Sequence, residues 1–86
     1  MNYQFHIHFK KAYLKLPKKL KDTVDKKLFL FAKNPYDSIL NNHLLIGKYK
    51  NYRSINITGD YRAIYKEISK DKVIFVKLGS HSKLYR

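Results

Sequence analysis

The chain opens on a run in which apolar and polar positions alternate, with Tyr3, Phe5, Ile7 and Phe9 interleaved by Gln4, His6 and His8. A period of two marks a half-buried strand, because successive side chains point to opposite faces. From Lys10 to Leu16 the pattern suits a short helix ending near Pro17, since the residue before a proline is pushed away from helical angles. Pro17 sits where a second helix starts. Leu20, Val24, Leu28 and Phe31 recur there at helical spacing, with Lys18, Lys19, Lys21, Asp22, Asp25 and Lys26 largely on the other side, until Asn34-Pro35 stops the pattern.

Pro35 to Asn42 reads as a loop, and Gly47 to Asn51 as a basic, turn-rich connection. Three strands follow. Tyr52 to Thr58 alternates Arg53, Ile55 and Ile57 against Tyr52, Ser54 and Asn56, and Thr58-Gly59-Asp60 forms a tight hairpin turn. Tyr61 to Ile68 returns, and Ser69 to Lys72 turns again before Val73 to Leu78. The order strand, helix, helix, strand, strand, strand predicts an α+β fold. In it, an antiparallel or mixed four-stranded sheet carries the two N-terminal helices on one face. With no repeat or linker, residues 1–86 are expected to form a single domain.

Charge sharpens this picture. Nineteen Lys and Arg against six Asp and Glu give a net charge of +13, which costs stability by self-repulsion and points to an anionic ligand. A chain this short buries only about 60 to 65% of its unfolded surface, so its stability margin is thin. Without cysteine, disulfides and thiolate metal sites are excluded and a reducing compartment is permitted. No segment approaches the roughly 18 apolar residues of a membrane span, and the N-terminus lacks the plan of an export signal, so a cytoplasmic protein is expected.

The chemistry-bearing residues gather in the second half. Arg53, Arg62, Lys77, His81 and Tyr85 come from neighbouring strands and the terminal segment, and Lys48 and Lys50 add cations from the turn before them. Tyr61 and Tyr85 are candidates for stacking on unpaired RNA bases. His81, in Gly-Ser-His-Ser, and His43, in the loop before Leu44-Leu45, carry the group suited to proton transfer at neutral pH. His6 and His8 are spaced as strand neighbours, yet no carboxylate or third histidine has the spacing to complete a metal site with them. No cofactor is implied. RNA brings its own nucleophile, the 2′-hydroxyl, so a base, an acid and cations around the phosphate suffice to cut it.

Three segments carry a family resemblance: Leu45-Ile46-Gly47-Lys48-Tyr49-Lys50-Asn51-Tyr52-Arg53, Gly59-Asp60-Tyr61-Arg62-Ala63-Ile64-Tyr65, and Leu78-Gly79-Ser80-His81-Ser82-Lys83-Leu84-Tyr85. With the element order, they resemble the RelE/ParE toxin superfamily, and within it the YafQ branch. The resemblance implies a ribosome-dependent endoribonuclease that cuts mRNA in the decoding site and is silenced by a cognate antitoxin. It implies catalytic roles for His81, His43, Asp60, Arg62 and Lys77, and RNA contacts for Tyr61 and Tyr85. Departures are Asn56, where the branch has a second histidine, and Tyr61, where it has tryptophan. The free toxin is expected to be a monomer, and the +13 charge predicts an acidic antitoxin segment wrapping it into a hetero-oligomer. A ParE-like toxin that binds DNA gyrase without cutting RNA is the alternative.

Overall fold

A computed structural model describes residues 1–85. The N-terminal alternation is cut short: β1 covers Asn2–Phe5, and α1 begins at Ile7 and runs to Leu14. His6 makes the switch. Its backbone is extended, and its Nδ1 accepts the His8 amide N–H at 3.1 Å, the side-chain capping that starts a helix. The expected strand to Phe9 and helix start at Lys10 are corrected accordingly. Phe5 and Phe9, four residues apart, reach the same side through one helical turn and stack 5.0 Å apart, whereas Ile7, inward under alternation, is 55% exposed.

α2 spans Lys18–Lys33, with Pro17 at its N-cap, and buries Val24, Leu28 and Phe31 as the spacing predicts. Tyr13 on α1 donates to Asp25 Oδ1 at 2.8 Å and ties the two helices together. Together they carry the chain from one edge of the sheet to the other. The sheet has five strands in the order β1-β5-β4-β3-β2, where β2 is His43–Leu44, β3 Arg53–Asn56, β4 Tyr61–Ser69 and β5 Lys72–Ser80. β1 runs parallel to β5, and the other pairs are antiparallel. The strand beyond the expected four is β2, too short for any periodicity to reveal.

Between the helices and the sheet lies an aromatic core centred on Phe75. The rings of Phe31, Tyr65, Phe9 and Tyr3 stand 5.2, 5.3, 5.6 and 5.9 Å from it, mostly tilted or edge-on, as ring quadrupoles favour. A smaller cluster sits on the opposite face, where Leu45, Ile64 and Leu84 are buried with Tyr49, Tyr52 and Val76 packed around them. Leu84 belongs to α3 (His81–Leu84), a short helix capped by Ser80 Oγ, which accepts the Lys83 N–H. α3 comes close because residue 79 is glycine: a β-carbon there would lie 3.4 Å from Leu84 Cδ2. No helix among the described residues is long and apolar enough to cross a membrane.

Asn42 pins the loop after α2 to the sheet. Its Nδ2 donates to the Tyr65 hydroxyl at 2.7 Å and to the Pro35 carbonyl at 2.8 Å, while its Oδ1 accepts from Arg53 Nε at 2.8 Å. Burial pushes the Tyr65 phenol pKa up, partly offset by the Asn42 bond. The neutral phenol thus contributes stability that is complete below the ordinary tyrosine pKa of about 10 and is lost as pH rises through the raised value. Asn42→Ala leaves that hydroxyl unsatisfied, so urea unfolding should show a loss of about 1–3 kcal/mol. An unchanged midpoint would mean that the network carries no net stability.

Candidate active site

Cross-strand register decides which side chains meet. His43, Ser54, Ile64 and Lys77 are successive partners across β2, β3, β4 and β5, and so share the face away from α1 and α2. At about 4.8 Å per strand, His43 and Lys77 lie roughly 14 Å apart along this row. Asn56, Arg62 and Gly79 form the next row. Lys77 reaches this face through a bulge: it opposes Ile64 while Phe75 opposes Tyr65, leaving Val76 as an extra residue between them. Strict alternation would have sent Lys77 inward with Phe75. The bulge re-aims it outward and returns Leu78 to the core.

The β3–β4 hairpin is joined to α3. His81 donates its backbone N–H to the Asp60 carbonyl at 2.8 Å, fixing the start of α3 against the turn. Both side chains are exposed. Arg62 holds the turn from inside, its Nη1 donating to the carbonyls of Thr58 (3.0 Å), Gly59 (2.9 Å) and Tyr61 (3.3 Å). All three bonds use one nitrogen of the guanidinium, so its remaining donors are not committed to the turn. Asn56 Oδ1 and Ser54 Oγ are buried on this face without a hydrogen-bond partner among the described residues.

A line of rings leads away from His81. The Tyr85 ring lies 4.8 Å from His81, the Tyr49 ring 5.8 Å from Tyr85 and perpendicular to it, and the Tyr52 ring 6.3 Å from Tyr49. Tyr49 is presented by a 3-10 turn, Gly47–Tyr49, that begins with Gly47 at φ 69°, a left-handed angle at which any other residue is strained. Lys48 from the same turn places its Nζ 5.3 Å from the Tyr49 ring centre. Beyond Tyr52 the line opens into a groove of about 340 Å³, lined by His6, His8, Lys48, Tyr49, Tyr52, Val76 and Lys77.

Other candidates lie elsewhere. Arg53 pairs with Tyr65 on the helix-facing side, where its guanidinium sits 5.3 Å from the Tyr36 ring and bonds Asn42. Tyr61 packs against the main core, on the side opposite Tyr49. Lys50 is exposed just after the 3-10 turn, outside the groove. His43, exposed on the edge strand, holds the Asn41 carbonyl at 2.8 Å through Nδ1. Because a carbonyl only accepts, the neutral ring carries its proton on Nδ1 and keeps Nε2 as an acceptor. Tyr49, His6 and His8 are the positions that sequence reasoning did not assign to this face, whereas alternation set Tyr52 there with Ser54 and Asn56. The one signal for Tyr49 was its place between Lys48 and Lys50.

Among the described residues no three His, Cys, Asp or Glu side chains gather into a metal-binding group. Their single ion pair, Lys18 to Asp22 at 3.4 Å, lies on α2. Lys48 and Lys77 therefore face the groove without a carboxylate partner among those residues. Lys48 is exposed and Lys77 half-buried, so both are open to an anionic ligand.

The same arrangement of sheet and helices is found in known proteins. A family model described as the bacterial toxin of type II toxin-antitoxin system, YafQ, matches residues 1–86. The chain belongs to the YafQ toxin family. Similar solved structures include YafQ from E. coli strain BL21(DE3), 22% identical, covering 99% of this chain and 98% of that one with a TM-score of 0.79. The E. coli DinJ-YafQ toxin-antitoxin complex is also 22% identical over 99% of this chain and 97% of that one, with a TM-score of 0.76. A conserved hypothetical protein from Helicobacter pylori is 27% identical over 99% of both chains, with a TM-score of 0.65. No curated protein matches the chain by sequence. The fold is that of the RelE-like toxins, and membership of the YafQ family makes this chain a toxin of a type II toxin-antitoxin system.

Proposed function

We propose that this toxin is a ribosome-dependent endoribonuclease that cuts mRNA in the decoding site through attack by the RNA 2′-hydroxyl. The observation that carries the reading is the convergence at one end of the open face. There, His81 is bonded through its backbone to the Asp60 turn, Arg62 holds that turn, and Lys77 stands on the adjacent strand with no carboxylate partner among the described residues.

In the proposed step a base takes the 2′-hydroxyl proton, and the 2′-oxygen bonds to the neighbouring phosphorus. The bond to the departing 5′-oxygen breaks, and that oxygen receives a proton from His81, leaving a 2′,3′-cyclic phosphate and a free 5′-hydroxyl. Lys77 and the uncommitted donors of Arg62 face the charge that grows on the phosphate. Asp60 is the nearer base, since its own carbonyl holds His81. His43 has a free Nε2, but lies two strands beyond β4 and suits a contact further along the RNA. Asn56, an amide, takes no proton and offers only an acceptor oxygen. Tyr85 and Tyr49 offer ring faces for unstacked bases, and Lys48 and Lys50 phosphate contacts.

The partner we propose is an acidic antitoxin, with the free toxin a cytoplasmic monomer. Charge complementarity with a chain of +13 supports it. So does an apolar groove of about 560 Å³ on the helix side, where Leu14 and Phe29 are exposed near Lys10. Mapping of mRNA ends after incubation with purified ribosomes tests the activity. Cuts within ribosome-covered codons that need both toxin and ribosome are expected. Intact mRNA together with inhibited gyrase supercoiling would replace this reading with the gyrase-binding one.

A further inference from the structure

None of the steps above uses the histidines at the junction of β1 and α1, yet they form one wall of the groove that continues the site. The His6 and His8 rings stack 4.8 Å apart and within 9° of parallel, and they line a space also bounded by Tyr49, Tyr52, Lys48 and Lys77. His6 accepts the His8 N–H at Nδ1, so its neutral ring carries the proton on Nε2 and keeps one donor outside the cap.

We propose that this groove is a nucleotide subsite, holding the base and phosphate of the residue next to the one cut; the proposal rests on the RNA-cutting reading of the adjoining site. Three properties agree on that ligand. The volume, about 340 Å³, is at the small end of the roughly 300–1,000 Å³ usual for ligand pockets and suits one nucleotide rather than a strand. Aromatic rings on two sides, from the histidine pair and the tyrosines, are what an unstacked base needs. Lys77 and Lys48 supply charge for a phosphate. An acidic peptide would satisfy the lysines but leave the stacked rings unused. Continuity fixes which nucleotide is held: the Tyr49 and Tyr85 rings connect the groove to His81.

The test uses the full chain, isotopically labelled, titrated with a 2′-O-methyl RNA trinucleotide that cannot be cut. Amide shifts are expected at His6, His8, Tyr49 and Tyr52. Affinity should fall about fivefold or more in His8→Ala, the loss expected for one base–aromatic stack. His6→Asn keeps a residue that caps helices well while removing the ring, so the same loss there separates the subsite from folding. In cleavage assays both variants should raise KM and leave kcat within about threefold. Shifts elsewhere only, equal affinity in the variants, or a poly-glutamate peptide occupying the groove that the trinucleotide ignores would overturn the proposal. Cutting retained without trinucleotide binding in the groove overturns the subsite alone. Binding there without any cutting supports the subsite and contradicts the RNA-cutting reading.

Discussion

Replacing His81 with alanine is expected to slow mRNA cutting on the ribosome about 10²- to 10⁴-fold, the range removed with a general acid or base. The fold should survive the change. The His81 side chain is exposed and lies against the Tyr85 ring, while the bond that fixes α3 runs from its backbone N–H to the Asp60 carbonyl and is available to alanine. Ser80, which caps α3, and Leu84, which anchors it, are untouched. Single-turnover cleavage rates and a melting curve, measured on the same preparation, check both halves. A variant that cuts at the wild-type rate removes His81 from the chemistry, and one that fails to melt cooperatively shows that the residue is structural.

Phe75→Ala should cost about 3–5 kcal/mol, as large-to-small changes at buried aromatics do. Phe75 is fully buried and stands within ring contact of Phe9, Phe31 and Tyr65, so no single neighbour can collapse into the space it leaves. Natural domains hold about 0.05–0.15 kcal/mol per residue, which for a chain of this length is of order 4–13 kcal/mol. The substitution therefore consumes a large share of the total. A urea titration should show the midpoint of the variant far below wild type, or no folded baseline at all. A shift equivalent to less than about 1 kcal/mol would mean that the core is not organised around this ring.

How much of this was legible in the sequence depended on element length. α2 declared itself because sixteen residues give its apolar stripe room to repeat. β1 and α1 did not separate, because Phe5 and Phe9 are inward under either period and only the His6 cap distinguishes them. β2 and α3, of two and four residues, are shorter than any period. Within the site, alternation groups Arg53 with Ile55 and Ile57, whereas the expected RNA contact set it with Lys77 and His81; the register decides for the core side, away from the row that holds His43 and Lys77. It could not place Lys77, whose facing is set by the bulge at Val76. The hold of Arg62 on its own hairpin was also hidden, since a strand arginine in sequence looks the same whether it faces a ligand or its own backbone.

In the proposed mechanism the open face activates the RNA's own hydroxyl, and His81 serves the leaving oxygen. The most direct test of this is cleavage of ribosome-bound mRNA carrying a single 2′-deoxyribose at the mapped cut site. Cutting should vanish at that bond, and unmodified mRNA should yield a 2′,3′-cyclic phosphate and a 5′-hydroxyl. Continued cleavage at the deoxy position would contradict the account.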